Sequence, residues 1–356
     1  MAIDSTLSYT PLINRLVDEP LTSDDVSALD APDRRDGKIY HWDDHLHLAL
    51  EVALATGRPL LLRGDPGTGK SSFAAYAARN LGYRYYEHVV TSHTNAQDLL
   101  WRFDLVRRLA DAKARANRSD SPPLNDLDYV EPGLLWWVFN RTLARDRGWR
   151  EGRPRPASVA VEQNESINKT RDPDAAVVLI DELDKADPDV PNALLVPLGS
   201  LRFRVMDVGV DVERITSARP TNVTAVEAPL VLSRLLVVIT TNEERELPAA
   251  FMRRCVVHRL EHPNAARLVE IARLHFHRPP RQEFTEAHQA MATALAARVE
   301  SLRKERRDAG RRLPGTAEFL DAVRACMTLG ISVDETPTWI ALEQATLVKE
   351  GGASVT

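Results

Sequence analysis

Short, unbroken apolar runs along the first two thirds of this chain predict buried strands. The runs at 60–62, 175–180 and 235–239 contain only aliphatic side chains, as in strands covered on both faces of a parallel sheet. Residues 83–91 are rich in aromatic and β-branched side chains and predict another strand, as do residues 203–208. Because stretches with helical periodicity lie between these runs, the pattern predicts an α/β fold, a three-layer α/β/α arrangement around a parallel sheet.

The helical stretches also indicate how the chain is divided. An apolar stripe at 38–56 predicts one helix, good helix formers at 72–81 predict a second that Gly82 caps, and residues 99–118 predict an amphipathic third. After His262-Pro263 the pattern becomes helical throughout. The helices expected there are 264–277, 284–308, 316–329 and 338–348.

Three segments follow from this change of pattern. Residues 1–37 are polar, with acidic and proline-bearing patches, and are expected to form a variable leader. Residues 38–262 are expected to form the α/β domain, and residues 263–356 a small all-α domain. Residues 147–173 lack periodicity and predict a mobile loop.

A glycine-rich turn follows the strand at 60–62. It fits the phosphate-loop pattern G-x-x-x-x-G-K-[ST] and runs Gly64-Asp65-Pro66-Gly67-Thr68-Gly69-Lys70-Ser71, with Ser72 continuing into a helix. Its glycines let the backbone curl so that successive N–H groups cradle a β-phosphate. Lys70 adds positive charge near the β and γ oxygens, and the Ser71 hydroxyl can ligate Mg²⁺. The turn therefore predicts a site for ATP and Mg²⁺.

Two other predicted strands end in side chains suited to hydrolysis of that nucleotide. Asp181 follows the run at 175–180 and can hold Mg²⁺ beside Ser71, often through water. The adjacent Glu182 is placed to polarise an attacking water. Asn242 follows the run at 235–239 and is suited to orienting that water and the γ-phosphate. With the phosphate loop, these residues predict a nucleoside triphosphatase.

An arginine pair, Arg253 and Arg254, ends a predicted helix beyond Asn242. An arginine there does not easily reach its own phosphate loop. In a ring of subunits it reaches the neighbour's γ-phosphate as an arginine finger. The alternative is that both are ordinary charges at the C-terminus of a helix.

Composition restricts the class of protein further. The 356 residues carry a formal net charge of −5, which argues against a general nucleic-acid coat. No apolar run is long enough for a membrane span, and the first residues lack the pattern of a secretion signal. Cys255 and Cys326 are the only cysteines and lack metal-ligand spacing. We therefore expect a cytoplasmic protein without a membrane span.

Two clusters are interpreted as structural. His41, His45 and His47 lack the spacing of a zinc site and are expected to be partly exposed helix histidines. The basic run at 303–312 could contact phosphate, but a solvated helix face is the favoured interpretation.

These motifs together resemble those of an AAA+ ATPase, and more narrowly those of the MoxR family. The resemblance covers about 38–330 and rests on the phosphate loop, on Leu-Ile-Asp-Glu-Leu-Asp-Lys-Ala-Asp at 179–187, and on Thr-Thr-Asn-Glu-Glu-Arg-Glu-Leu-Pro-Ala-Ala-Phe-Met-Arg-Arg-Cys at 240–255. It implies a P-loop AAA+ core followed by a helical lid.

The resemblance also implies roles for individual residues. Ser71 and Asp181 would bind Mg²⁺, Glu182 would be the catalytic glutamate and Asn242 the sensor 1 residue. Arg254 would be the arginine finger, with Arg253 as the alternative.

Further parts of the chain follow from the same resemblance. A helix-2 insert at about 92–140, which includes 129–137, and a hairpin at about 200–233 would project toward the pore of the ring. The stretch 215–227 is long for that connection. The sensor 2 residue is Arg312, Arg324 or neither.

The function implied is that of a ring homo-oligomer, expected to be a hexamer, that hydrolyses ATP to remodel or chaperone a protein client. Family members commonly act with a von Willebrand A-domain partner, in metalloenzyme maturation, complex assembly or bacterial conflict systems. A nucleic-acid motor is the rival, but the acidic balance counts against it, so no direct nucleic acid is expected. A second rival is a switch that binds nucleotide and barely hydrolyses it, against which the intact catalytic residues weigh.

Overall fold

The computed structural model describes residues 36–116, 123–215, 233–277, 283–334 and 336–349, with Pro11, Ile13, Asn14 and 16–18. Most of the predicted leader and of the stretch 215–227 lies outside the described residues.

Nine strands are present in the described part of the chain. They are β1 (Leu60–Arg63), β2 (Tyr83–Val89), β3 (Trp101–Phe103), β4 (Val130–Pro132), β5 (Asp172–Asp181), β6 (Arg202–Val205), β7 (Val210–Glu213), β8 (Leu235–Thr241) and β9 (Val256–Arg259). Five of them form one parallel sheet in the order β2-β5-β8-β1-β9. The edge strand β9 was not predicted, because Val-Val-His-Arg is too short and too polar to show a strand pattern.

The helices lie between the strands and after them. They are α1 (Asp44–Thr56), α2 (Lys70–Asn80), α3 (Leu105–Ala116), α4 (Leu134–Phe139), α5 (Arg141–Arg145), α6 (Glu165–Asn168), α7 (Asp189–Ser200), α8 (Ala249–Met252), α9 (Ala265–Phe276), α10 (Glu286–Asp308), α11 (Thr316–Leu329) and α12 (Pro337–Glu343), followed by a π-helical turn at Gln344–Val348. Helix α2 ends with Leu81 at its C-cap, and Gly82 follows with a positive φ of 67°. None of the described helices combines the length and apolar content that crossing a bilayer requires.

The sheet is buried on both faces, which explains the continuous apolar runs. Along β5, Ala176, Val178 and Ile180 pack into one core, whereas Val177 and Leu179 pack into the core on the other side. Successive strand residues point to opposite faces, so a strand covered twice needs apolar side chains at every position. The predicted fold class, a parallel α/β core followed by a helical region, is confirmed.

The predicted helix at 99–118 is wrong in its first third. Residues 101–103 form β3, which pairs antiparallel with β4, and helix α3 begins only at Leu105. Trp101 is buried, with its ring stacked on that of Phe203 at a centroid distance of 5.9 Å. Trp101 and Phe203 are more than a hundred residues apart along the chain, so local periodicity could not predict their contact.

Helix α3 has the opposite orientation to the usual amphipathic helix, because its polar face is packed and its apolar face is exposed. Its polar face contacts the rest of the domain: Arg108 Nε donates to Asp126 Oδ1 at 2.6 Å, and the Tyr129 hydroxyl donates to Asp111 Oδ2 at 2.8 Å. No residue of the helix is buried. The apolar side chains on its other face are exposed, to 54% at Leu105, 81% at Val106 and 49% at Leu109.

Strands β6 and β7 form a hairpin that lies against the antiparallel pair of β3 and β4. Besides the ring stacking, Trp101 Nε1 donates to Asp207 Oδ2 at 2.6 Å, in the turn between the two strands. The predicted strand at 203–208 therefore ends at Val205 and turns. The hairpin lies within the segment at about 200–233, of which residues 216–232 are outside the described part.

Part of the segment 147–173, which was expected to be a mobile loop, packs on β2 through residues 162–168, whereas most residues from 151 to 159 are exposed. The Asn168 side chain is fully buried and accepts from the Tyr85 backbone N–H at 2.9 Å. Glu162 is also buried and accepts from the Tyr86 hydroxyl at 2.7 Å and from Arg141 Nε at 2.8 Å. These contacts are polar, and polar contacts leave no hydrophobic period in the sequence.

The helices after 264 surround a core of their own, in which Leu268, Val299, Phe319 and Trp339 take part. The basic run at 303–312 is a solvated face only in part, because Arg303 and Arg306 are buried in this lid, whereas its other basic side chains are exposed. Arg303 donates from Nε to Pro314 O at 2.9 Å and from Nη1 to Pro263 O at 2.6 Å. A buried guanidinium needs such acceptors, which here are backbone carbonyls invisible in the sequence.

The three clustered histidines differ from one another. His41 precedes α1 and lies 3.8 Å from Glu270 Oε2, His45 is exposed, and His47 is buried 3.4 Å from Glu51 Oε1. The expectation of partly exposed helix histidines therefore fits only His45.

Candidate functional site

The phosphate loop joins β1 to α2 and adopts the backbone that its glycines allow. Gly64 has a φ of 136°, and a Cβ there would come within 2.3 Å of Leu260 O. Gly69 has a φ of 93° and is the N-cap of α2. Since residues with side chains rarely adopt such angles, glycine is required at both positions. The N-terminus of α2, which favours anions, therefore faces the loop.

Lys70 lies at the start of α2 and is folded over the loop. Its Nζ donates to Gly64 O at 2.6 Å and to Asp65 O at 2.8 Å. Burial lowers the pKa of Lys70, and the nearby carboxylates, Asp181 first among them, oppose that shift. An anionic phosphate would oppose the desolvation further, because it favours the charged ammonium.

Three side chains from different elements meet at the end of β5. Ser71 Oγ and Thr240 Oγ1 both donate to Asp181 Oδ1, at 2.7 and 2.6 Å. Thr240 Oγ1 also accepts from the backbone N–H of Glu182 at 2.8 Å, so one hydroxyl positions both acids. Hydroxyl and carboxylate oxygens are the ligands that Mg²⁺ prefers, and the residues present therefore fit that ion.

Glu182 is held at both carboxylate oxygens. Its Oε1 accepts from Asn242 Nδ2 at 3.1 Å, which links the predicted base to the predicted sensor. Its Oε2 accepts from Lys185 Nζ at 2.6 Å. The Glu182 backbone is left-handed, with a φ of 59°, which is uncommon for a residue with a side chain.

Asp184 fixes the loop that carries Asn242. Its buried carboxylate accepts at Oδ2 from the backbone N–H groups of Asn242 and Glu244, at 3.1 and 3.0 Å. Sequence reasoning missed the roles of Asp184, Lys185 and Thr240. The first two lie in the same motif as Glu182, so their charge close to the acid pair was the available signal.

A cavity of about 830 Å³ connects these groups to the lid. This volume is within the range of small-molecule sites in proteins. One end is lined by the predicted catalytic and phosphate-binding side chains, which are Lys70, Ser71, Asp181, Glu182 and Asn242. The rest is lined by the segment before α1, by the chain after β9, and by α9 and α11.

The lid rests directly on the phosphate loop. The Thr316 backbone N–H, at the start of α11, donates to Gly67 O at 2.9 Å. A Cβ on Gly315 would come within 2.8 Å of Gly67 Cα, so the two glycines permit a contact between backbones. The start of α11 is therefore in direct backbone contact with the phosphate loop.

The two sensor 2 candidates lie in different places. Arg324 lines the cavity from α11. Arg312 is not among the lining residues; its side chain is 61% exposed and pairs with Glu318. Of the two, only Arg324 is brought to the nucleotide cavity.

His262 is a lining residue that sequence reasoning did not select. It lies between β9 and α9, with Nε2 at 3.4 Å from Asp65 Oδ2 of the phosphate loop. Burial, and then the positive charge of Arg303, lowers the pKa of His262 to about 4. The imidazole is therefore neutral at pH 7.

The arginine pair follows α8, which spans only Ala249–Met252. Arg253 and Arg254 are both exposed, and neither lines the cavity of its own chain. The Arg253 backbone carbonyl accepts from Arg58 Nη1 at 3.0 Å.

Comparison with known families decides the classification. The model of the AAA domain family, dynein-related subfamily, matches residues 59–255, which is more than half of the 356 residues. This chain belongs to the AAA domain family. The matched region begins beside β1 and ends at Cys255, so it includes the phosphate loop, the acid pair, Asn242 and the arginine pair of this AAA domain.

Solved structures of other AAA-type proteins resemble the chain only distantly. The RuvB Holliday junction branch migration motor of Thermotoga maritima has a TM-score of 0.41 and 12% identity, over 85% of this chain and 67% of that one. Domain III of the Thermotoga maritima replication initiation protein DnaA has a TM-score of 0.40 and 16% identity, over 85% and 91%. Similarity at this level does not indicate a shared activity. No curated protein matches the chain significantly.

Proposed function

We propose that this AAA-domain protein is a Mg²⁺-dependent ATPase that works as a ring of identical subunits. The observation that carries the proposal is the convergence of Lys70, Ser71, Asp181, Glu182 and Asn242 at one end of a single cavity. Each of these side chains comes from a strand end or from the phosphate loop, and each has a chemical role in phosphoryl transfer.

The contacts support a role for each of these groups. The loop N–H groups and Lys70 bind the phosphates, and Ser71 and Asp181 would hold Mg²⁺. The ion would neutralise charge on the β and γ oxygens. Glu182 accepts the proton of the attacking water, and Asn242, within hydrogen-bonding distance of Glu182, orients that water. Arg324, at the cavity wall, is the sensor 2 residue in this proposal.

The ring is supported by the position of the arginine pair. Arg254 is exposed and absent from the wall of its own cavity, so it serves the γ-phosphate of an adjacent copy. Arg253 is the alternative finger. A hexamer is the expected ring.

The proposed action on a client protein is based on helix α3. Its exposed apolar side chains suit contact with another protein, because nucleic acid backbones are recognised chiefly by cationic and hydrogen-bonding groups. We propose a MoxR-like remodelling or chaperone activity on a protein client, with a von Willebrand A-domain partner, in the cytoplasm. Stimulation of turnover by DNA or RNA would contradict this part.

Substitution of the proposed base tests the ATPase activity. Glu182→Gln keeps the shape of the side chain and removes the carboxylate that takes the proton. We expect ATP binding to persist and phosphate release to fall by roughly two orders of magnitude or more. Glu165→Gln is the matched control, since Glu165 is an ion-paired glutamate in α6, outside the site. Turnover near the wild-type rate in Glu182→Gln would contradict the assignment of Glu182 as the general base.

A further inference from the structure

The turn that carries Asn242 is anchored by the side chain of the next residue, Glu243. The Glu243 carboxylate pairs with two arginines, at Oε1 with Arg63 and at Oε2 with Arg259 Nη1, which is 2.7 Å away. Arg63 ends β1 directly before the phosphate loop, and Arg259 ends β9, the strand that precedes the lid. One side chain therefore joins the turn after β8 to the ends of two other strands.

The two arginines are neighbours in the sheet. Strands β1 and β9 are parallel, and their register pairs Arg63 with Arg259. On its other side, Arg63 is paired with Thr241, the last residue of β8. Like charges on directly paired residues of adjacent strands repel each other, and a carboxylate close to both offsets that repulsion. Glu243 supplies this carboxylate from the turn just beyond Thr241.

The backbone of Glu243 is left-handed, with a φ of 62°. Residues with a side chain rarely adopt this angle, whereas glycine adopts it at no steric cost. The Glu243 N–H donates to Thr241 Oγ1 at 3.0 Å, which closes the turn without any use of the glutamate side chain. Because the turn by itself favours glycine, the presence of a glutamate needs a reason in its carboxylate.

Stability alone is a weak reason for the bridge. The side chains of Arg63 and Arg259 are 38% and 58% exposed, and that of Glu243 is 24% exposed. Ion pairs so open to solvent contribute little to the free energy of unfolding. The position in which the bridge holds the turn is therefore the better explanation of the glutamate.

The same turn presents Asn242 to the catalytic site. Asp184, beyond the neighbouring strand β5, binds the backbone N–H groups of Asn242 and Glu244, at 3.1 and 3.0 Å. Strands β1 and β9 lie on the opposite side of β8, so the bridge holds the turn from that side. The Asn242 amide donates to Glu182 Oε1 at 3.1 Å and lines the cavity. A group that orients water must be placed to a fraction of an ångström, and anchors on both sides give that precision.

We propose that Glu243 is a positioning residue for ATP hydrolysis. Through its bridge to Arg63 and Arg259 it fixes the turn after β8, and with the turn the Asn242 amide. The inference rests on the proposed ATPase function. Glu243 is absent from the cavity wall, so its effect falls on the rate of hydrolysis and not on the affinity for ATP.

Two substitutions of Glu243 test the inference. Glu243→Gly removes the bridge and suits the left-handed backbone, whereas Glu243→Gln keeps the side chain and removes its charge. We expect the turnover number to fall roughly tenfold in both, because a small misplacement of a catalytic group is enough for such a loss. The Kd for ATP is expected to stay within about twofold of the wild-type value. Rates are compared at a protein concentration where the wild-type rate per subunit no longer rises.

Two controls separate positioning from other effects. Glu165 also bridges two cations, Arg145 and Lys169, but lies in α6 outside the site, so Glu165→Gln is expected to leave turnover unchanged. In Asn242→Ala, the second substitution Glu243→Gln is expected to cause no further loss, because the amide that the bridge positions is gone.

The outcomes distinguish this inference from the ATPase proposal. Wild-type turnover in both Glu243 variants, with turnover lost in Glu182→Gln, would overturn the positioning role and leave the ATPase standing. Weaker ATP binding in place of slower turnover, or an undiminished loss in the Asn242→Ala background, would also overturn the positioning role. Absence of turnover in the wild type would overturn the ATPase proposal and this inference with it.

Discussion

At the scale of single residues, His262, which lines the cavity, makes the free energy of unfolding depend on pH. Its imidazole is neutral in the fold with a pKa of about 4, against an ordinary value of 6.5. Because the unfolded chain binds the proton more readily, stability is lost as the pH falls from 6.5 toward 4 and is unaffected by this group above 6.5. Partial burial also lowers the pKa values of His41 and His258, so these two histidines act in the same direction.

Replacing His262 with glutamine should flatten this pH dependence. Between pH 7 and pH 5 the wild type is expected to lose roughly 1–2 kcal/mol more of its free energy of unfolding than His262→Gln does. Denaturant unfolding at the two pH values gives the loss of unfolding free energy for each protein. Comparing the two losses removes any destabilisation by the substitution that does not depend on pH. His93→Gln, at an exposed position, is the control. Equal losses in the wild type and His262→Gln would contradict the buried, neutral histidine.

The residues of the site divide by how far they could be predicted. Lys70, Ser71, Asp181, Glu182 and Asn242 were predicted because each ends an apolar strand or lies in a glycine-rich turn, and they line one cavity. His262 was not predicted, since its importance depends on a position between the phosphate loop and the lid. Contacts of that kind join distant parts of the chain and leave no local pattern.

At the scale of elements, helix α3 packs through its polar face and exposes its apolar face, which is the opposite of what an amphipathic sequence usually indicates. Its apolar stripe indicated a buried face, but the structure buries Tyr129 against the polar face and exposes Val106. The helix therefore contributes to stability through the side that the sequence marks as solvent-facing.

Truncations on the two sides of α3 should show this reversal. Val106→Ala is expected to change the free energy of unfolding by less than about 0.5 kcal/mol, because the side chain is already in water. Tyr129→Ala is expected to cost about 3 kcal/mol or more, as for other buried aromatic side chains. Both are measured by denaturant unfolding. A large loss in Val106→Ala would mean that the apolar face is packed within the subunit.

Other elements show the same limit of sequence reasoning. The strands with continuous apolar runs were predicted because burial on both faces imposes a pattern that needs no partner to be recognised. Strands β3 and β9 were missed, since each is short and is formed only through pairing with a distant strand. The segment before β5 looked irregular because Glu162 and Asn168 anchor it through hydrogen bonds.

At the scale of the whole molecule, the lid and the sheet form one cavity. The contact of Thr316 and Gly315 with Gly67 brings α11, with Arg324, over the phosphate loop. A site so enclosed by its own chain leaves the exposed arginine pair outside it. In the proposed ring, an arginine of a second copy completes the site, and hydrolysis at a site shared between subunits is the central part of the proposed function.

Mixing two inactive variants tests that claim most directly. Arg254→Ala should bind ATP and lose roughly three to five orders of magnitude in turnover, and Lys70→Ala should lose ATP binding. In a mixed ring some interfaces join an intact phosphate loop to an intact finger, so phosphate release should reappear on mixing, and the wild-type rate per subunit should rise with protein concentration. Recovery with Arg253→Ala and not with Arg254→Ala would move the finger by one residue. No recovery where mixed rings are shown to form, together with a concentration-independent wild-type rate, would contradict the shared site.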